Sequence, residues 1–281
     1  MAEASVIDIG GKDRVAFLQG QSTNDIVKLP EGESCRAASL NPKGHLLAEF
    51  RVKKLPDRLR ILTEKDRQAS LLAHLRKYAV FQDVSFQESV GDWQMFDFAG
   101  AISPRPSGIE IDVWPAYFEW AESWLIRREE AGAARDALPR DVRALTPEEA
   151  EVARIESGRP LWGRDMDESN LPDEVGMDDA ISTTKGCYVG QEIVARLRTY
   201  GRVTRRLAGL EFEGGFVPPR GSVLLRHGAP DVAGEVTSTA LSVRFGAIGL
   251  GFVRRDVDEA EFLELRDHPG RRARVAPKAH R

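Results

Sequence analysis

The chain has 281 residues, 42% hydrophobic and 30% charged, with a formal net charge of -4. That is enough chain for two or three compact units with buried cores, and it excludes a disordered polymer. The mild acidic balance gives no general attraction to nucleic acid or membranes, and no apolar run reaches the length of a bilayer span.

In chain order, residues 5–9 (SVIDI) form a short strand pattern that Gly10-Gly11 breaks. Asp13 is placed to cap a helix over 14–20 that buries Val15, Phe17 and Leu18. Ser22, with Asp25 three residues later, has the spacing of a second cap. Strand runs follow at 35–40, 46–53 and 59–62, separated by the turn sequences Asn41-Pro42-Lys43-Gly44 and Leu55-Pro56-Asp57. Thr63 and Asp66 form a further capping pair, ahead of a helix that aligns Leu71, Leu72, Leu75 and Tyr78.

Residues 80–86, 93–98 and 109–114 read as a second set of strands, and 117–131 as an amphipathic helix carrying Trp120 and Trp124. Thr146-Pro147-Glu148-Glu149 starts another helix, which runs to Ser157 and stops at Gly158. The stretch 158–182 is a long acidic loop, and loops of that length are usually functional or linkers. Beyond Tyr200-Gly201, short strands at 206–212, 222–226, 232–238, 247–253 and 262–266 predict a small all-β sandwich or barrel. The locally basic remainder, with Arg271, Arg272, Arg274, Lys278 and Arg281, reads as a solvated tail. The fold class is α+β, with a domain boundary near residue 200.

Only two cysteines, Cys35 and Cys187, are present, and they are far apart. This argues against a disulfide framework and for a reduced, cytoplasmic setting, and residues 1–11 lack the apolar core of a signal peptide. Cys187 lies in the densest chemical stretch of the chain, residues 185–192 (KGCYVGQE). Lys185 is a nearby cation of the kind that lowers a thiol's pKa, and Gly186 and Gly190 allow close backbone approach. Spacing alone leaves two readings open, a reactive thiolate and a buried structural cysteine.

Arg154 and Glu156 sit in the last turn of a helix, where a carboxylate gains nothing from the helix dipole. Glu156 is either an exposed helix-end carboxylate or an acceptor for a ligand with an aminopyrimidine-like edge. Lys43-Gly44 is either a plain hairpin turn or an anion-holding one. The sequence has no P-loop, no GxGxxG and no metal-ligand spacing.

Residues 185–192 resemble the K-G-C-[FY]-x-G-Q-E signature of the YgfZ family of folate-binding proteins that maintain iron–sulfur enzymes. That family is related to a mitochondrial iron–sulfur assembly factor and to the aminomethyltransferase (T-protein) of the glycine cleavage system. Residues 17–25 (FLQGQSTND), 40–44 (LNPKG) and 154–158 (RIESG) are also similar to family segments. The resemblance covers almost the whole chain. It implies an aminomethyltransferase-like folate-binding region of two α+β subdomains, 1–90 and 91–200, followed by a C-terminal β-barrel over 201–281.

The resemblance further implies bound tetrahydrofolate, or a one-carbon derivative. Asn24, Asp25, Lys43, Gly44, Arg154, Glu156, Tyr188, Gln191 and Glu192 are then its candidate contacts. Cys187 becomes the functional thiol, with Lys185 beside it, and no metal site is implied. The partners implied are iron–sulfur client enzymes or assembly factors, with no nucleic acid and no membrane, for a monomeric protein.

Where T-protein carries a pair of aspartates, this chain has Ala48-Glu49, which argues against glycine-cleavage chemistry. A folate-dependent one-carbon transferase using Glu49 remains the alternative. A third reading is a binding module that docks a partner through the β unit and the basic tail.

Overall fold

Apolar residues at every second position build a sheet with one greasy face. In β3 (Leu46–Lys54), Leu46, Ala48, Phe50 and Val52 point one way, and Glu49, Arg51 and Lys53 point the other. The computed structural model describes residues 2–115, 122–201 and 203–279. The chain divides into two units, Met1–Arg143 with Asp178–Ala195, and Ala144–Met177 with Arg196–Arg281.

In the first unit, β3 belongs to a seven-stranded antiparallel sheet. The other strands are β1 (Ala2–Gly10), β2 (Ser34–Leu40), β4 (Leu59–Thr63), β5 (Ser85–Phe98), β6 (Asp112–Pro115) and β7 (Glu122–Arg127). The order across the sheet is β2-β3-β4-β1-β5-β7-β6. Two helices, α1 (Arg14–Gln21) and α2 (Lys65–Tyr78), bury Phe17, Leu18, Leu71 and Leu75 against the apolar face, with Ile7, Phe50 and Ile61.

The opposite face carries charge and indoles. Arg51 donates to Pro115 O at 2.6 Å, and Lys53 donates to Asp112 Oδ1 at 2.6 Å and Val113 O at 2.8 Å. These bonds join the second strand of the sheet to the last, so the sheet curls until β3 reaches β6. The outer edge of β6, which would otherwise be open to strand addition, is covered by cationic side chains. Arg60 adds a paired contact to Asp8 at 2.9 Å, and its guanidinium lies 4.7 Å from the Trp93 ring.

Several expected elements take another form. The boundary near residue 90 falls inside β5, a single 14-residue strand, with Gly91 at φ 79° within it. Residues 80–84 form no strand, and Phe81 is fully exposed. Of the helix expected over 117–131, residues 117–121, Trp120 included, lie outside the described residues, and Glu122–Arg127 is strand β7. There Trp124 packs 4.5 Å from Phe98, and four consecutive residues are buried because β7 is covered on both faces.

Ser22 caps no helix; its hydroxyl donates back to Leu18 O at 2.7 Å, closing the end of α1. Asp13 stands at the start of α1 but accepts from Asp83 N instead. Thr63 ends β4 and donates to Glu49 O, leaving Glu64 at the start of α2.

The second unit pairs a helix with a barrel. A short helix, α3 (Ala131–Asp136), precedes it in the first unit, and α4 (Pro147–Glu156) opens the second with the expected capping box between Thr146 and Glu149. The last helix is α5 (Gln191–Thr199). The barrel strands are β8 (Arg205–Phe212), β9 (Val223–Arg226), β10 (Val232–Ser242), β11 (Gly246–Arg254), β12 (Phe262–Leu265) and β13 (Arg272–Ala276). They close in the order β10-β11-β8-β13-β12-β9.

The basic stretch expected to be a solvated tail is therefore the strand that closes the barrel. Arg272 and Arg274 face out while Ala273 and Val275 are buried. Lys278 then donates to Val175 O and Gly176 O at 2.9 and 3.0 Å. Helix α4 packs Ile155 with Leu207, Ile248 and Leu250 of the barrel. Among the described residues, no helix is long and apolar enough to cross a membrane.

Candidate functional site

The cysteine segment docks on the end of α1. The last carbonyls of a helix have no partner within it, and here the partners arrive from far along the chain. Lys185 Nζ donates to Gln19 O and Ser22 O at 2.6 Å and to Asn24 O at 2.8 Å. Val189 N donates to Gly20 O, and Ser182 N to Thr23 O. Thr23 Oγ1 donates to Ala180 O at 2.6 Å and accepts from Ala38 N. The segments 17–25 and 185–192, both singled out in the sequence, thus meet at one junction, which the end of the long loop, Ala180 and Ser182, completes.

Lys185 is buried at this junction, with its Nζ 5.0 Å from the Tyr188 ring. A cation at the C-terminus of a helix meets the negative end of its dipole. Burial pushes the ammonium down to about 8, against the opposing influence of Asp25 and Cys35. The thiol that feels Lys185 is therefore Cys35 on β2. Burial raises that thiol to about 11, with Lys185 opposing. The expectation that Lys185 serves as the cation beside Cys187 gives way to a structural role, since its three donors are directed at main-chain carbonyls. Cys187 itself is exposed.

The lysine–glycine turn meets the same segment. Asn41 Oδ1 accepts from Lys43 N and His45 N, which shapes the turn and puts Gly44 at φ 79°. A Cβ on Gly44 would lie 3.0 Å from Ile193, and one on Gly190, at φ 81°, would lie 2.6 Å from Asn41 O and 3.2 Å from Gly44 Cα. Two glycines in adjacent motifs let the backbones touch. Lys43 is exposed.

Most of the remaining candidates of the first unit are engaged within the fold. Asn24 Nδ2 donates to Arg36 O and Asp179 O, and its Oδ1 accepts from Asp25 N. Burial would raise the Asp25 carboxyl, but the Lys28 backbone and the Gln19 amide hold it below the usual range. Gln191 Oε1 accepts from Tyr188 N at the start of α5, and Glu192 is exposed in its first turn. Glu49, the acid of the transferase alternative, is buried and accepts from Arg36 Nε at 2.6 Å, while Arg36 also reaches Asp179 at 2.9 Å.

In the second unit Arg154 is not available to a ligand. Its guanidinium donates to Glu151 twice, to Arg159 O, to Asp165 and to Ser238. Asp165, fully buried, also accepts from Leu161 N, from Thr237 Oγ1 at 2.5 Å and from Ser238 Oγ at 2.7 Å. Two neighbouring hydroxyls reach one carboxylate because β10 bulges at this point, its register shifting between Val236 and Ser238. Burial opposes the charge on Arg154, yet Glu151 and Asp165 outweigh it and raise the guanidinium further.

Nothing in the sequence marks this network, because bonded partners in it lie as many as 84 residues apart. Glu156 is half-buried, and its Oε1 accepts from Ser242 Oγ at 2.6 Å. Among the described residues, no three His, Cys, Asp or Glu side chains form a metal-binding group.

No protein-family model matches the chain. An uncharacterized protein of Haemophilus influenzae is 34% identical over 216 residues, spanning 74% of this chain and 70% of that protein. The protein named tRNA-modifying protein YgfZ of Edwardsiella ictaluri is 30% identical over 220 residues, spanning 72% of this chain and 66% of that protein. Among solved structures, the glycine cleavage system aminomethyltransferase T of Bartonella henselae superposes with a TM-score of 0.84. The match covers 99% of this chain and 84% of that one at 19% identity, which establishes the fold alone. With the signature segments joined as described, the chain belongs to the YgfZ family and has the aminomethyltransferase-like fold.

Proposed function

We propose that this chain is a folate-binding accessory protein for the assembly, maintenance or repair of iron–sulfur clusters in client enzymes, with Cys187 as its functional thiol. The observation that carries the proposal is the exposure of Cys187 on a segment anchored at both ends. A structural cysteine would be expected inside, as Cys35 partly is. The name of the Edwardsiella relative speaks of tRNA modification. For this chain, with its net charge of -4, the proposed route to such an activity is through a protein client rather than direct contact with nucleic acid.

The proposed cofactor is tetrahydrofolate or a one-carbon derivative, and the candidate contacts divide by their free capacity. Asn24 and Arg154 have their polar groups engaged in the fold and do not suit a ligand role. Glu156 suits one, because a carboxylate has about four acceptor sites and Ser242 uses one of them.

Titration calorimetry with tetrahydrofolate tests the Glu156 assignment. Glu156→Gln is expected to weaken binding about tenfold or more, as for a lost charged hydrogen bond, and unchanged affinity would remove Glu156 from the site. Deletion of the gene and complementation with Cys187→Ala tests the thiol, with the activity of aconitase or another cluster enzyme as readout. Full rescue by Cys187→Ala would sink the role given to the thiol. The transferase alternative has weaker support, since its acid Glu49 is held by Arg36.

A further inference from the structure

The turn that carries Cys187 is held from inside by a side chain two residues away. Backbone bonds fix the segment at either end, Ser182 N to Thr23 O and Val189 N to Gly20 O. Between them Lys185 runs inward, and its ammonium meets three converging carbonyls, of Gln19, Ser22 and Asn24. Three acceptors match the three N–H bonds of an ammonium, and a planar guanidinium does not have that geometry. The site lies at the C-terminal end of α1, where positive charge is favoured, and Asp25 supplies a nearby negative one. Without the ammonium, the Gln19 and Ser22 carbonyls would lose this donor within a buried junction, and Asn24 O would keep only the Ser22 hydroxyl at 3.3 Å, a costly arrangement.

We infer that Lys185 is a positioning residue, a latch whose ammonium holds the Cys187 turn against the end of α1 and fixes where the thiol is presented. The inference rests on the reading of Cys187 as the functional thiol. The latch also accounts for a lysine at this place in the signature when the side chain is turned into the protein, away from the exposed part of the turn.

The test uses the full chain with Cys35→Ser, so that Cys187 is the only thiol. In Lys185→Met, hydrogen exchange at the Ser182 and Val189 amides is expected to rise about tenfold or more, with the amides of β3 and β11 unchanged. Alkylation of Cys187 by iodoacetamide is expected to change at least about threefold, and complementation to fall as it does for Cys187→Ala. Wild-type exchange and alkylation in Lys185→Met would overturn the latch. Altered exchange with full complementation would overturn its functional importance while leaving the thiol reading intact. Full rescue by Cys187→Ala would instead defeat the thiol reading, and the positioning role with it.

If Lys185→Met does not fold, the unsubstituted protein carries the test. A latched ammonium gives a slowly exchanging Nζ resonance at neutral pH, and a freely exchanging one would overturn the proposal.

Discussion

Cys35 and Cys187 are chemically ordinary in the sequence and opposite in the structure. Cys35 is half-buried and its thiol is raised from 9.0 to about 11, so it stays protonated where an unfolded thiol ionises. Between about pH 9 and 11 the folded form binds the extra proton, and the stability due to Cys35 is lost as pH rises through that window. Lys185 acts in the opposite sense. Its ammonium is lowered from 10.5 to about 8, so between those values the unfolded form holds the extra proton and stability rises with pH. Urea denaturation from pH 8 to 11 is expected to show a smaller alkaline loss for Cys35→Ser than for the parent, and identical profiles would refute the assignment. Asp165 gives a second prediction at this scale. Asp165→Ala leaves the buried Arg154 guanidinium short of a partner and is expected to cost about 3–5 kcal/mol by urea denaturation. The sequence made Cys187 and its neighbours visible because they are adjacent. It hid the partners of Lys185 and Thr23, which lie 166 and 157 residues away in the bonds from Lys185 to Gln19 and from Thr23 to Ala180.

At the scale of elements, local pattern was readable where one face of an element is wet. β2, β3, β4 and α4 fall where alternation and capping place them. β7 was misread because a strand covered on both faces has no alternation, and the spacing of its tryptophan imitates a helix. β13 did alternate, but its arginines suggested a solvated tail when they are only the outer face of a barrel strand. The glycine contact between the Lys43-Gly44 turn and the cysteine segment was not readable, since nothing local marks two backbones as touching. It yields a sharp prediction. Gly190→Ala adds a Cβ at positive φ and 2.6 Å from Asn41 O, and it is expected to cost about 1–3 kcal/mol or more in thermal or urea unfolding. Gly186→Ala, whose Cβ would meet nothing within 4 Å, serves as the mild control.

For the whole molecule, the chain does not divide at single points. It leaves the first unit at Arg143, returns at Asp178 and departs again after Ala195. The barrel strands begin at Arg205, but their unit also needs α4, because Ile155 packs with Leu207, Ile248 and Leu250. A fragment of 144–281 is therefore expected to give a cooperative thermal transition, and 201–281 is not. A cooperative melt of 201–281 would contradict that dependence. The late return at Asp178 also shapes how the protein is made. A ribosome adds about 5–20 residues per second, so residues 1–143 wait several seconds for Ala180, Ser182, Lys185 and Val189. Until these emerge, the Gln19, Ser22 and Asn24 carbonyls lack their lysine, and Thr23 lacks Ala180 and Ser182. The nascent chain is exposed to wrong pairing throughout that interval, and shelter by a chaperone is most valuable before residue 189 has left the ribosome.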